Sequence, residues 1–201
     1  MTRLIDLIPE GKCTLIYGTG GTGKTTVALE AALNKALGGK TVVYAFSGPY
    51  SFISRGTEIA RNMRAGDIPN NLVFVKAETL EDLRKVAALF LSKPPNYFVV
   101  DTATHGYRTL ISTGKRAMEA GRSLTEIIGL MLASKPSEGA LMIADAQMKP
   151  VGEERPSAEG PLKFWCDACI HLVKLPDGTR KALENNREIT FKIGSGGTEV
   201  I

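Results

Sequence analysis

Residues 14–26 read Thr14-Leu-Ile-Tyr-Gly18-Thr-Gly-Gly-Thr-Gly23-Lys24-Thr25-Thr26, and the reading of the whole chain turns on them. A short apolar run suited to a buried strand leads into a glycine-rich bend, and the bend opens a helical pattern over Thr25–Leu37 that stops at Gly38-Gly39. Gly18 to Thr25 match G-x-x-x-x-G-K-[ST] at every fixed position, in the strand, loop and helix order that gives the pattern meaning. Glycines let the backbone wrap so that successive N–H groups point at one phosphate, and the helix N-terminus adds partial positive charge. The expected nucleotide contacts are therefore Gly18, Thr19, Gly20, Gly21, Thr22, Gly23, Lys24, Thr25 and Thr26. Lys24 is expected to reach the β- and γ-phosphates and to act catalytically, while the Thr25 hydroxyl holds Mg²⁺. ATP and Mg²⁺ are the expected cofactors.

Working outward, apolar β-branched runs at Thr41–Phe46, Leu72–Val75, Tyr97–Val100, Ala140–Ala144 and Ala168–Leu175 alternate with helical patterns. That alternation predicts an α/β fold, a mainly parallel sheet flanked by helices. Thr79 with Asp82, and Ser123 with Glu126, read as capping patterns that start two of the helices. Near the C-terminus, Lys181–Glu184 and Ile189–Ile193 flank Asn185-Asn186, and Gly194-Ser-Gly-Gly197 leads to a last run, Thr198–Ile201. These predict antiparallel hairpins added to the sheet edge. The polar stretch Lys149–Gly160 is the expected mobile loop. Tyr97-Phe-Val-Val-Asp101 places a carboxylate at the tip of a buried strand, where a second magnesium-side group is expected, so Asp101 is the predicted Walker B residue.

Composition sets the outer limits. The chain has 201 residues, 43% hydrophobic and 23% charged, with a net charge of +4. These values fit a globular protein of one domain spanning residues 1–201, and exclude a disordered or fibrous chain. No apolar run approaches a membrane span, so no membrane partner and a cytoplasmic location are expected. The charge permits a nucleic-acid partner without requiring one. Cys13, Cys166 and Cys169 cannot all pair within the chain, which speaks against a secreted disulfide scaffold. Trp165-Cys166-Asp-Ala-Cys169 has the letters of a redox W-C-x-x-C, but a helix is expected to end there and a strand to begin, the reverse of the redox arrangement. Packing is the expected role of these cysteines.

Four stretches, LIYGTGGTGKTT, FVVDTATHGYR at Phe98–Arg108, LMIADAQ at Leu141–Gln147 and PLKFWCDACIHLVKL at Pro161–Leu175, occur in an order that resembles the ATPase core of the RecA/RadA recombinases, closest to archaeal RadB-like paralogues. The closing ENNREITFKIGSGG resembles the family's final hairpin. The resemblance implies a RecA-like core with ATP at the carboxyl ends of the strands and a part in DNA recombination and repair. It implies single-stranded DNA at two loops, about 105–122 with Arg108, Lys115, Arg116 and Arg122, and 148–160 with Lys149 and Arg155. It gives Gln147 the role of sensing the γ-phosphate, and lets Arg55 stack on adenine.

Two departures shape the expected activity. The family carries a water-activating glutamate after its second strand, whereas Tyr44-Ala-Phe-Ser47-Gly-Pro-Tyr50 has no carboxylate there. Hydrolysis is therefore expected to be slow or absent. No helical DNA-binding domain and no polymerisation linker precede the core, so filament formation by this chain alone is not expected. A mediator or regulator of a main recombinase or another paralogue is the expected role, with homo-oligomerisation open. The alternatives are a KaiC-like signalling ATPase and a nucleotide-gated protein-interaction module.

Overall fold

The computed structural model describes residues 3–114, 116–148, 152–185 and 187–201. Ahead of the sheet lies a short 3-10 helix, Leu4–Leu7, whose Leu4 and Leu7 are buried. The chain then alternates β1 (Cys13–Gly18), α1 (Lys24–Leu37), β2 (Val42–Phe46), α2 (Phe52–Asn62), β3 (Leu72–Lys76), α3 (Leu80–Ser92) and β4 (Tyr97–Asp101). Two helices, α4 (His105–Ser112) and α5 (Ala117–Ala133), precede β5 (Gly139–Met148). After β6 (Glu154–Pro156) and α6 (Glu159–Trp165) come β7 (Ala168–Lys174), β8 (Arg180–Glu184), β9 (Arg187–Gly194) and β10 (Gly197–Val200).

The strands form one sheet in the order β10-β9-β8-β7-β1-β5-β4-β2-β3, with β6 beside β5. Strands β7, β1, β5, β4, β2 and β3 run parallel. From β7 outward the sheet continues antiparallel through β8, β9 and β10, as the asparagine and glycine turns predict. Parallel strands need both faces covered, which is why β4 is buried at every position. One face packs Ile16, Tyr44, Val99 and Leu141 under α1 and α2. The other packs Leu15, Phe98, Val100 and Met142 under α3, α5 and α6. Because all six parallel strands point the same way, their carboxyl ends collect at one edge, and the glycine-rich loop leaves β1 there.

Three expectations need correction. Ser123 does not start a helix, because it lies in the second turn of α5, which begins at Ala117. Good helix formers from Ala117 to Ala120 extend the helix backward, and the stripe Ala120, Leu124, Ile127, Ile128 and Met131 seats it on the core. The segment 105–122 is consequently mostly helix, in α4 and the first turns of α5, and not an open loop. Within 152–160 the chain is also more ordered than a loop. Glu154–Pro156 pairs antiparallel with Ala146–Met148, and α6 begins at Glu159. Lys115, Lys149, Pro150, Val151 and Asn186, the second residue of the expected asparagine turn, lie outside the described residues. The Thr79 pattern holds, since Thr79 Oγ1 accepts from the Asp82 N–H at 3.1 Å and the Asp82 carboxylate accepts from the Thr79 N–H at 3.1 Å.

Candidate nucleotide site

The glycine loop is shaped by close neighbours. A Cβ on Gly18 would sit 2.3 Å from the Leu172 carbonyl oxygen and 2.8 Å from Thr22 Oγ1, so only glycine lets β1 pass β7 at this point. Gly23 takes φ +100°, and a Cβ there would meet Ile193 of β9 at 2.4 Å. Thr22 is fully buried and its hydroxyl donates to the Thr19 carbonyl at 2.9 Å, which holds the bend closed from inside. Helix α1 starts directly at Lys24, so its unpaired N–H groups face the loop.

Lys24 is nearly buried and folded back into this bend. Its ammonium donates to the carbonyls of Gly18 at 2.8 Å and Thr19 at 3.0 Å and lies 3.4 Å from Asp145 Oδ1. Asp101, at the tip of β4, is buried and accepts a hydrogen bond from the Tyr44 hydroxyl at 2.7 Å. Burial raises its carboxyl pKa, partly offset by hydrogen bonds from Tyr44 and the Thr25 hydroxyl and by the nearby Lys24 charge. Asp101, Lys24 and Thr25 thus lie close together at the carboxyl edge of the sheet, with the Lys24 charge and the Thr25 hydroxyl both favouring the Asp101 carboxylate. Tyr44 is pushed well up by burial and by Asp101, which keeps it a hydrogen donor.

Asp145 was not singled out by sequence reasoning. It stands opposite Gly18 in the parallel β1–β5 register and contacts both Lys24 and Arg108 of α4, the latter at 2.7 Å. Gln147 is two residues further along the same face of β5, exposed, and paired in register with Arg155 of β6. Arg55 of α2 spans to the β9–β10 turn, donating to the carbonyls of Gly194 and Ser195 and pairing with Glu58 at 2.9 Å. Another side chain that went unnoticed is Arg180 at the start of β8. It reaches the Gly21 carbonyl at 3.4 Å, and its Nε is buried with no partner. Only the fold could reveal Asp145 and Arg180, since Asp145 meets the loop across the β5–β1 pairing and Arg180 reaches it by its side chain from β8, which lies beyond β7 in the sheet.

The region after β2 offers no carboxylate, as expected; Ser47 there accepts from the Thr102 N–H at 3.3 Å. Arg155 is engaged by Glu153 at 2.9 Å and Glu159 at 3.6 Å, whereas Arg116 and Arg122 are exposed. Cys166 closes α6 and contacts Cys13 at 3.1 Å, and Cys169 lies in β7, an order opposite to that of a redox helix. Among the described residues no group of three or more His, Cys, Asp or Glu could hold a metal. A magnesium ion held at Thr25 and Asp101 would have to take its other ligands from phosphate oxygens and water, and a hydroxyl and a carboxylate are oxygen donors that fit such an ion.

A mainly parallel sheet with this glycine loop, an acid at the tip of β4 and added C-terminal hairpins defines a RecA-like P-loop core. A family model described as an AAA domain matches residues 3–120. The chain is 32% identical to the DNA repair and recombination protein RadB of Thermococcus gammatolerans, over 94% of this chain and 90% of that protein. It is 25% identical to the protein of that name from Methanocaldococcus jannaschii, over 96% and 94%. A solved structure titled as the RadB recombinase superposes with a TM-score of 0.75 at 23% identity, over 96% of this chain and 91% of that one, which shows the fold. The chain belongs to the RadB family. No helix among the described residues is long and apolar enough to cross a membrane.

Proposed function

We propose that this protein binds ATP with Mg²⁺ at the glycine loop and acts in DNA recombination and repair as a nucleotide-gated mediator that contacts single-stranded DNA and hydrolyses ATP slowly. The observation that carries the nucleotide part is the glycine bend that opens α1, with Lys24 folded into it and the buried Asp101 carboxylate at the tip of β4. Family membership supports the recombination part, since the relatives above carry that function in their names.

In this reading the backbone N–H groups of Gly20 to Thr25 bind the phosphates, and Lys24 exchanges its loop carbonyls for phosphate oxygens. Thr25 and Asp101 hold the metal, which neutralises charge on the phosphates when bound. Arg55 donates in the plane of its guanidinium to the turn carbonyls, which leaves its face free to stack on a base. The stretch 44–50, where the family has its water-activating glutamate, holds no carboxylate, and the hydroxyl of Ser47 within it is a poor base at neutral pH, so turnover is slow. Gln147 lies far enough along β5 to report the γ-phosphate to the β5–β6 connection. Exposed Arg116 and Arg122, at the start of α5, supply the sequence-independent contacts to DNA.

The test is binding of a fluorescent ATP analogue and of single-stranded DNA by the wild type and by Lys24→Ala. We expect Lys24→Ala to lose about 100-fold or more in ATP affinity through loss of a charged phosphate contact. DNA binding should weaken steeply between 50 and 200 mM salt. Nucleotide binding with no DNA binding at low salt would overturn the mediator reading.

A further inference from the structure

We propose that Asp145 is a counter-ion of the nucleotide site: it holds Lys24 back in the nucleotide-free protein and, through Arg108, ties the occupancy of that site to helix α4. The inference rests on the nucleotide reading above and concerns how that same site is regulated.

The geometry is a three-member chain. Lys24 has three donors, and two are committed to the carbonyls of Gly18 and Thr19. The third side of the ammonium faces Asp145 Oδ1 at 3.4 Å, while Arg108 donates to Asp145 Oδ2 at 2.7 Å. Both oxygens of one carboxylate are therefore shared between the P-loop cation and a cation of α4. Asp145 cannot easily follow Lys24 when it turns outward. The β1–β5 register fixes its backbone, its carbonyl accepts from the Ser157 N–H at 2.8 Å, and its N–H faces Thr104 Oγ1 at 3.4 Å. Nor is α4 free to drift, because Gly106 packs on the Thr79–Leu80 backbone so tightly that a Cβ would lie 2.7 Å from the Leu80 nitrogen.

Binding of a triphosphate draws the Lys24 ammonium toward the more highly charged ligand. Asp145 is then left facing that ligand with Arg108 as its remaining cation. Two consequences follow from charge alone. Asp145 opposes nucleotide binding, first by holding Lys24 and then by repelling phosphate. Arg108 lessens that opposition, and it is held more tightly when nucleotide is present. A merely structural role for Asp145 gives the opposite sign, since removing a structural contact weakens binding.

The test measures affinity for a fluorescent ATP analogue in wild type, Asp145→Asn, Arg108→Gln and the double variant, with melting curves to confirm folding. Hydrogen exchange across residues 105–112 is followed with and without ATP. Asparagine keeps the volume of Asp145, and Arg108 is largely exposed, so each single variant is an independent arm. We expect Asp145→Asn to bind about fivefold more tightly, Arg108→Gln to bind roughly threefold more weakly, and the Arg108 effect to vanish in the double variant, magnitudes typical of site coupling. ATP should increase protection of 105–112 in the wild type and not in Asp145→Asn. Equal or weaker ATP binding by a folded Asp145→Asn, or an Arg108 effect that persists without Asp145, overturns this inference alone. Absence of ATP binding by the wild type removes the nucleotide reading, and this inference with it.

Discussion

Asp101 concentrates the energetic conflict of the site in one residue. A buried carboxylate costs stability at neutral pH, because burial favours its protonated form. Its folded pKa lies above the ordinary value, so the native state holds a proton that the unfolded chain has already released. The stability contributed by that proton is present at low pH and is lost as pH rises from about 3.8 through the raised value. Asp101→Asn should therefore raise the neutral-pH stability of the nucleotide-free protein and flatten the pH dependence across that window, as read by denaturant melts. The same change should abolish the Mg²⁺ dependence of ATP binding. Lys24, Thr25 and Asp101 are legible in the sequence because each sits at a fixed place in a local pattern, a loop or a strand tip. Asp145 is not, because nothing within Leu141–Gln147 says which position will stand beside Gly18 once β5 pairs with β1.

At the scale of elements, helix starts separate what local chemistry decides from what packing decides. Thr79 caps α3 with both halves of a capping box, its side chain exposed to solvent. Ser123 and Glu126 have the same letters, but the apolar stripe of α5 begins at Ala120 and draws the helix start back to Ala117. Thr79→Ala should cost about 1 kcal/mol. Ser123→Ala should change stability by less than about 0.5 kcal/mol, since it sits inside a helix with no cap to lose. A pair of chemical denaturation curves checks both. The C-terminal hairpins were readable because asparagine and glycine mark their turns, whereas β6 was hidden in a polar stretch whose pairing with β5 depends on the distant strand being in place.

For the molecule as a whole, alternating apolar runs foretell a parallel sheet, and its carboxyl edge then gathers Gly18, Ser47, Asp101 and Asp145 without any being near another in sequence. The strand order is a non-local outcome: β1 lies between β5 and β7, and no periodicity within a strand states its neighbours. On the proposed DNA reading, replacing Arg116 and Arg122 by alanine should lower the slope of log affinity against log salt by roughly 1.4, about 0.7 for each phosphate contact on a single strand. An unchanged slope would move DNA elsewhere on the surface. The most direct test of the central claim is calorimetric titration of ATP into the wild type and into Thr25→Ala and Asp101→Asn, each with Mg²⁺ and with chelator. The account predicts tight, Mg²⁺-dependent binding by the wild type and weak binding indifferent to Mg²⁺ in both variants. Binding that is equally tight with chelator, or unchanged in the variants, would contradict it.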